Sequence, residues 1–125
     1  MYELRVKRHF DASHIVIGHP GKCARLHGHR WVAEVSILCQ DLNSIGLAID
    51  FGEIKELLDR HLPDHRHLND ILPEGYAATA EGVSCWLFHT LRDPVADLGG
   101  RLRFVRIWES EDCAAAYRPE EENDR

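Results

Sequence analysis

No apolar run in this chain of 125 residues approaches the roughly 20 residues that a membrane-spanning helix needs. The first ten residues alternate between apolar and charged side chains, so we expect no secretory signal. Basic residues are also in deficit, because 15 lysines and arginines stand against 21 acidic residues. Broad nucleic-acid binding needs a basic face and is therefore not expected. These absences favour a soluble, cytoplasmic protein.

The four cysteines include no C-x-x-C pair, and their irregular spacing argues against a zinc ribbon. In a cytoplasmic chain we expect them to be free thiols. Cys39, Cys85 and Cys113 fall in apolar patterns and are predicted to be small core residues. Cys23 differs because it lies in a loop with basic neighbours, a setting that favours the reactive thiolate form.

Strands are predicted at both ends of the chain. Residues 2–10 alternate strictly, which is typical of a half-buried strand, and a second strand is predicted from His29 to about Gln40. Residues 101–110 and 113–118 form two further strand patterns, separated by a short polar turn. We expect the first two strands to form a hairpin.

Two helices are predicted between these strand pairs. The first runs over residues 50–63, with Asp50 as its N-cap and apolar side chains on one stripe. A polar loop follows, and the second helix runs from about Thr79 to Arg92. Thr79 is its expected cap, and Glu81 in the first turn suits the helix dipole.

The order β-β-α-α-β-β predicts an α+β fold with both helices on one face of an antiparallel sheet. Residues 1–118 are expected to form one domain, and the acidic residues 119–125 are expected to fray into solvent. A four-stranded sheet leaves two open edges, so oligomerisation through those edges is a reasonable expectation.

The most informative short segment is His27-Gly28-His29 at the start of the second strand. Residues i and i+2 of a strand project from the same face, so both imidazoles can bind one metal ion. Catalytic zinc commonly takes three protein ligands and leaves a fourth position open. His14 is the natural third ligand, since the hairpin would place it across from the other two.

The pattern alone leaves other interpretations open. A His-x-His pair is weak evidence by itself, and His9, His19, His61, His65 and His67 are rival ligands. Asp64 beside His65 is either a proton relay or a solvated pair in a polar loop. Glu109 follows an apolar strand face, so it pairs either with a ligand or with a neighbouring arginine. Lys22, Arg25 and Arg30 are phosphate-binding candidates or ordinary surface charges.

Several short motifs, taken in order, resemble the 6-pyruvoyl-tetrahydropterin synthase and 6-carboxytetrahydropterin synthase superfamily. The resemblance covers roughly Tyr2 to Arg118, and it rests on the order in which the motifs occur. Cysteine followed by three residues and His-Gly-His is most similar to the bacterial carboxy-type branch of queuosine (7-deazapurine) biosynthesis. The motifs are Phe10–His14, Cys23–His29, Gly46–Phe51, Asp64–Asn69, Thr79–Glu81 and Trp108–Ser110.

The resemblance implies the tunnelling fold, in which sheets of several subunits join into a barrel. It also implies a homohexamer built as two stacked trimers. Two positions depart from the family pattern. Ala78 replaces the usual proline before T-x-E, and Ser110 stands where threonine is common after the anchor glutamate. Neither change removes a reacting group.

The resemblance also implies the roles of individual residues. His14, His27 and His29 match the zinc ligands, and Cys23 matches the catalytic cysteine. The remaining matches are Asp64 and His65 for the acid-base pair, Glu109 for the carboxylate that anchors the pterin, and Thr79 and Glu81 for a segment that lines the pterin pocket. Lys22 and Arg25 are the expected contacts of the substrate's triphosphate.

The activity implied is zinc-dependent conversion of 7,8-dihydroneopterin triphosphate to 6-carboxy-5,6,7,8-tetrahydropterin, with release of acetaldehyde and triphosphate. Zinc would act as a Lewis acid on the side-chain oxygens, and a Cys23 thiolate would remove a carbon-bound proton. Two alternatives stay open. One is a pyruvoyl-type synthase that eliminates triphosphate without carbon–carbon cleavage, and the other is a zinc- or pterin-binding protein without turnover.

Overall fold

The computed structural model describes residues 1–120, so residues 121–125 of the predicted acidic tail lie outside the described residues. A 3-10 turn at Lys22–Ala24 lies between the first two strands. The strands and helices, in chain order, are β1 (Tyr2–His14), β2 (His27–Cys39), α1 (Phe51–His61), β3 (Arg66–His67), α2 (Leu68–Ile71), α3 (Ala80–Asp97), β4 (Arg101–Trp108) and β5 (Ala114–Tyr117).

The five strands form one sheet in the order β3-β1-β2-β4-β5. The predicted pairing of the first two strands is confirmed, since β1 and β2 are antiparallel along their whole length, from Tyr2 opposite Cys39 to His14 opposite His27. Both strands are longer than predicted at the end that carries the histidines. This extension brings His14 and His27 directly opposite each other.

The sheet differs from the prediction at one edge, where residues 64–70 had been expected to form a polar loop. Arg66 and His67 instead pair in parallel with Ala12 and Ser13 of β1, and α2 follows at once. The sheet is therefore mixed rather than purely antiparallel. These two elements could not be predicted from the polar sequence, because each is too short to show a hydrophobic period.

Helices α1 and α3 pack on one face of the sheet, as predicted. Their buried side chains join those of the strands in a single core. Asp50 caps α1 by accepting a hydrogen bond from the Gly52 N–H, and Thr79 caps α3 in the same way through the Gly82 N–H. Helix α3 extends past the predicted end at Arg92 because Val95, one residue after Pro94, is anchored in the core.

Among residues 1–120, no helix packs on the other face of the sheet, which is polar. Its centre is Glu34, whose carboxylate is only 4% exposed and accepts hydrogen bonds from Arg106 and the Trp108 indole. Glu3 likewise accepts from Ser36 and Arg5. We call this surface the open face. The charges of Glu3 and Glu34 are paired with arginines of the same face.

The prediction that three cysteines lie in the core holds only in part. Cys39 is buried and Cys85 is half-buried, but Cys113 is exposed. The prediction was wrong for Cys113 because that residue lies in the turn before β5 rather than within the strand. Within residues 1–120, no helix has both the length and the apolar character required to cross a membrane.

Candidate metal centre and active site

The three histidines His14, His27 and His29 meet at one end of the sheet. His14 ends β1, opposite His27, and Ala12 lies opposite His29 in the same ladder. Alternation along the strands places these histidines on the helix-bearing face, together with the buried residues Phe10 and Trp31. His14 is fully buried, whereas His27 and His29 are half-buried and open to a ligand. The predicted juxtaposition is therefore present.

Backbone carbonyls fix the orientation of these rings. Nδ1 of His14 donates to the Ala78 oxygen at 2.7 Å, and Nδ1 of His27 donates to the Arg25 oxygen at 2.7 Å. Nδ1 of His29 lies 3.4 Å from the Arg30 oxygen. With Nδ1 carrying the proton, Nε2 of each ring keeps a free lone pair. Outer hydrogen bonds of this kind are what orient histidines that bind metals.

The Nε2 atoms of His14 and His29 lie 3.4 Å apart, and the three histidines offer ligand atoms within 4.8 Å of one another. Two nitrogens bound at about 2.0–2.1 Å to one tetrahedral zinc ion are about 3.4 Å apart. Two lone pairs facing each other at this distance repel unless a cation lies between them. The donor set and its spacing therefore fit zinc.

Trp31 packs against two of the three histidines, a role that the sequence had not suggested. Its ring stacks on His29 at a centroid distance of 4.2 Å and meets His14 edge-on at 4.8 Å. Burial lowers the pKa of His14 below the ordinary value for histidine. The ring is consequently neutral at pH 7, which is the form that binds a metal.

The N-terminus of α3 reaches His14 because the chain doubles back there. A Cβ on Gly82 would overlap the backbone of Ala77, so only glycine allows the segment before the helix to lie against it. This places the Ala78 carbonyl on His14. Thr79 uses its hydroxyl to cap the helix, and Glu81 is exposed in the first turn. Thr79 directly follows Ala78 and also lines a cavity with Ile15.

Glu109 lies beside the three histidines, immediately after β4. Its Oε1 atom is 3.7 Å from Nε2 of His14 and 4.0 Å from Nε2 of His29. A hydrogen bond from its backbone N–H to the Cys113 oxygen fixes the start of the turn. The Glu109 side chain is 45% exposed, so it is accessible to a ligand.

Cys23 lies on the 3-10 turn between β1 and β2 and is half-buried. Its carbonyl oxygen accepts a hydrogen bond from the Val16 N–H at 2.9 Å, which ties the turn to the end of β1. Lys22 and Arg25 on either side are exposed, and within residues 1–120 neither forms an ion pair. Arg30 differs, since it is already paired with Asp11 at 3.1 Å.

Asp64 and His65 form a pair at the edge of the sheet. Nδ1 of His65 lies 2.9 Å from Oδ2 of Asp64, and Oδ1 of Asp64 accepts from the Asp11 N–H at 2.9 Å. That backbone hydrogen bond is the main cause of a lowered pKa for Asp64. His65 has a φ of 59°, a conformation that costs a residue with a side chain about 1–2 kcal/mol. A hydrogen bond from its N–H to the Asp11 oxygen holds it there.

The Asp64–His65 pair lies at the β3 edge of the sheet, hydrogen-bonded to Asp11 of β1. His65 lines a cavity of about 510 Å³ together with Asp11, Ser13 and Arg30. The side chains of these residues alternate with Ala12, His14 and His29, so they project from the open face. Of the three histidines, His29 also lines this cavity, whereas His14 and His27 do not.

Comparison with known proteins gives a consistent result. The family described as "6-pyruvoyl tetrahydropterin synthase" matches residues 3–120. A Rickettsia bellii protein named 6-carboxy-5,6,7,8-tetrahydropterin synthase is 41% identical over 66 residues, which are 53% of this chain and 48% of that protein. The match thus spans about half the length of that relative. A Synechocystis protein of the same name is 35% identical over 116 residues, with 86% of each chain covered.

The fold is shared with solved structures. The structure of Caenorhabditis elegans 6-pyruvoyl tetrahydropterin synthase superposes with a TM-score of 0.77 and 20% identity, over 95% of this chain and 96% of that one. The expected tunnelling fold is thereby confirmed at the level of the single chain. The short strand β3 and helix α2 are additions to the simple β-β-α-α-β-β order.

Proposed function

Because the chain belongs to the 6-pyruvoyl tetrahydropterin synthase family, we propose that it is a zinc-dependent 6-carboxytetrahydropterin synthase. The reaction would convert 7,8-dihydroneopterin triphosphate to 6-carboxy-5,6,7,8-tetrahydropterin and release acetaldehyde and triphosphate. The observation that supports this proposal most strongly is the set of three imidazoles. Their Nδ1 atoms face backbone carbonyls, which leaves the Nε2 atoms available to bind a metal. The names of the Rickettsia and Synechocystis relatives favour the carboxy-type product.

His14, His27 and His29 would hold the metal in this proposal. When bound, zinc supplies a Lewis acid that polarises oxygens on the substrate's side chain. The carbonyls of Ala78 and Arg25 keep the protons on Nδ1, so the rings need no rearrangement before they bind the ion. Trp31 is fully buried and packs against His14 and His29, which excludes water from that side of the two rings.

Cys23 is the proposed general base, which removes a carbon-bound proton from the substrate. The hydrogen bond from Val16 to its backbone holds the turn next to the strand that ends in His14.

Lys22 and Arg25, whose charges are not used within the described chain, would bind the triphosphate. Glu109 would bind the amino-pyrimidinone edge, where two adjacent N–H donors match one carboxylate. Thr79 and Glu81, at the start of α3, would border the ring.

Asp64 and His65 are proposed to act on the metal centre of a neighbouring subunit. Both side chains are exposed at the edge of the sheet and already connected by a hydrogen bond, so they are accessible to a ligand held by another chain. The carboxylate orients the imidazole and stabilises its charged form, so the pair can transfer a proton to or from a ligand bound across an interface.

Such a shared site requires oligomerisation, and we propose a hexamer built from two trimers. The polar open face, with its paired charges, would then line the inside of a barrel. Light scattering of the purified protein should give the mass of six chains. A mass near 14.3 kDa, that of one chain, would contradict the shared site.

Product analysis tests the proposed reaction directly. The zinc-loaded protein is incubated with 7,8-dihydroneopterin triphosphate, the pterins are identified by mass, and acetaldehyde is assayed separately. Carboxytetrahydropterin together with acetaldehyde is expected. A pyruvoyl product without acetaldehyde would favour the alternative synthase, which is the name carried by the matching family and by the C. elegans structure. Zinc binding without any turnover would favour a binding protein.

A further inference from the structure

Asn69 of α2 binds the chain segment that lies between His14 and the Cys23 turn. It is the second residue of α2, directly after the buried Leu68, so its backbone is anchored in the core. It lies five residues after Asp64 and is half-buried against the chain that leaves β1 after His14. None of the roles implied by the family resemblance had used this side chain.

The Asn69 amide binds both polar groups of one peptide residue. Its Oδ1 accepts from the Ile15 N–H at 2.8 Å, and its Nδ2 donates to the Ile15 oxygen at 2.9 Å. A carboxamide carries the same donor and acceptor as a peptide group. The side chain therefore continues the parallel pairing of β3 with β1 beyond the last main-chain pair, Ser13 with His67.

Ile15 is the residue between the metal centre and the Cys23 turn. His14 precedes it, and the following residue, Val16, donates its N–H to the Cys23 oxygen at 2.9 Å. The chain after Val16 has little packing of its own, since residues 17–22 are exposed and Ile17 is 86% exposed. Two hydrogen bonds from Asn69 thus fix the backbone from which both His14 and Cys23 are placed.

We propose that Asn69 is a positioning residue that sets the place of the ligand His14 and of the thiol Cys23. The inference rests on the proposed function for the roles of those two residues, but the hydrogen bonds that carry it do not depend on the reaction. Loss of the amide frees the Ile15 peptide. Both the His14 imidazole and the Cys23 thiol should then lose their fixed positions together.

The test compares Asn69→Ala with Asn43→Ala. Asn43 makes a similar pair of hydrogen bonds, accepting from the Ile45 and Leu47 N–H groups in the loop after β2, at the opposite end of that strand from His27. Zinc dissociation constants are measured by chelator competition. Alkylation of Cys23 by iodoacetamide is followed by mass spectrometry after metal removal, with the exposed Cys113 as internal reference.

For Asn69→Ala we expect a zinc dissociation constant raised about tenfold, as for the loss of other outer contacts of a metal site. We also expect Cys23 to be alkylated severalfold faster relative to Cys113. Asn43→Ala should lower the unfolding midpoint while leaving both quantities at wild-type values. Asn69→Ser can keep only one of the two hydrogen bonds and should give intermediate values, which covers the case in which the alanine variant folds poorly.

Wild-type zinc affinity and wild-type Cys23 labelling in Asn69→Ala would overturn the inference, and so would equal shifts in Asn43→Ala. Failure of the proposed function has a different signature. A wild-type chain that binds no zinc would reject the metal centre, whereas the alkylation comparison would still decide whether Asn69 holds the Cys23 turn.

Discussion

Replacement of His14 by alanine is expected to abolish tight zinc binding and, with it, turnover. The imidazole is fully buried, its Nδ1 is committed to the Ala78 carbonyl, and its Nε2 lies 3.4 Å from that of His29. The two remaining histidines would hold the ion far less tightly. The loss should exceed the roughly 10- to 100-fold decrease in affinity that removal of an outer-shell partner typically causes. Chelator competition and metal analysis of the purified variant measure it.

Two further variants, His14→Gln and His9→Ala, separate the loss of metal binding from a loss of folding stability. His14→Ala also leaves the Ala78 carbonyl without its partner in a buried position, which costs about 1–3 kcal/mol of stability. His14→Gln retains an amide that can donate to that carbonyl but lacks the imidazole, so it should fold better and still bind zinc weakly. His9→Ala, an exposed histidine on the opposite face of the same strand, should change neither property. Wild-type zinc affinity in His14→Gln would contradict the proposed metal centre.

The position of the three histidines could be predicted because it depends on strand geometry alone. Alternation places His27 and His29 on one face, and hairpin pairing brings His14 opposite His27. The carbonyls that orient the rings could not be predicted. Ala78 reaches His14 only because the chain before α3 folds back over Gly82, and such a contact between residues 64 positions apart leaves no periodic pattern.

The elements that the sequence did not predict are the short ones. Strand β3 has two residues and α2 has four, so neither contains enough positions for a hydrophobic period. They exist because the edge of β1 offers free backbone groups, which Arg66, His67 and the Asn69 amide satisfy. The end of α3 was misplaced for a different reason. The helix was expected to end at about Arg92, but burial of Val95 stabilises a further turn that includes Pro94.

Replacement of Cys23 by alanine is expected to lower kcat by about 10²- to 10⁴-fold, the usual contribution of a general base. The thiol lies on the turn that Val16 holds next to the metal centre, but it is not one of the clustered metal ligands. Zinc affinity and the unfolding midpoint should therefore stay close to wild-type values. KM should also change little, because Lys22, Arg25 and Glu109 remain in place to bind the substrate. Steady-state kinetics on zinc-loaded protein would measure the effect.

Cys113→Ala is the matched control for this substitution. It removes an exposed thiol from the turn after β4 and leaves the backbone carbonyl that accepts from Glu109, so activity should be retained. Cys23→Ser keeps the size of the side chain but replaces the thiol with a hydroxyl that ionises far less readily, so it should remain nearly as inactive as Cys23→Ala. Full activity in either Cys23 variant would exclude the thiol as the base. A loss of activity matched by an equal loss of zinc would instead make Cys23 a support of the metal centre, because removal of a base alone leaves the three histidines free to bind.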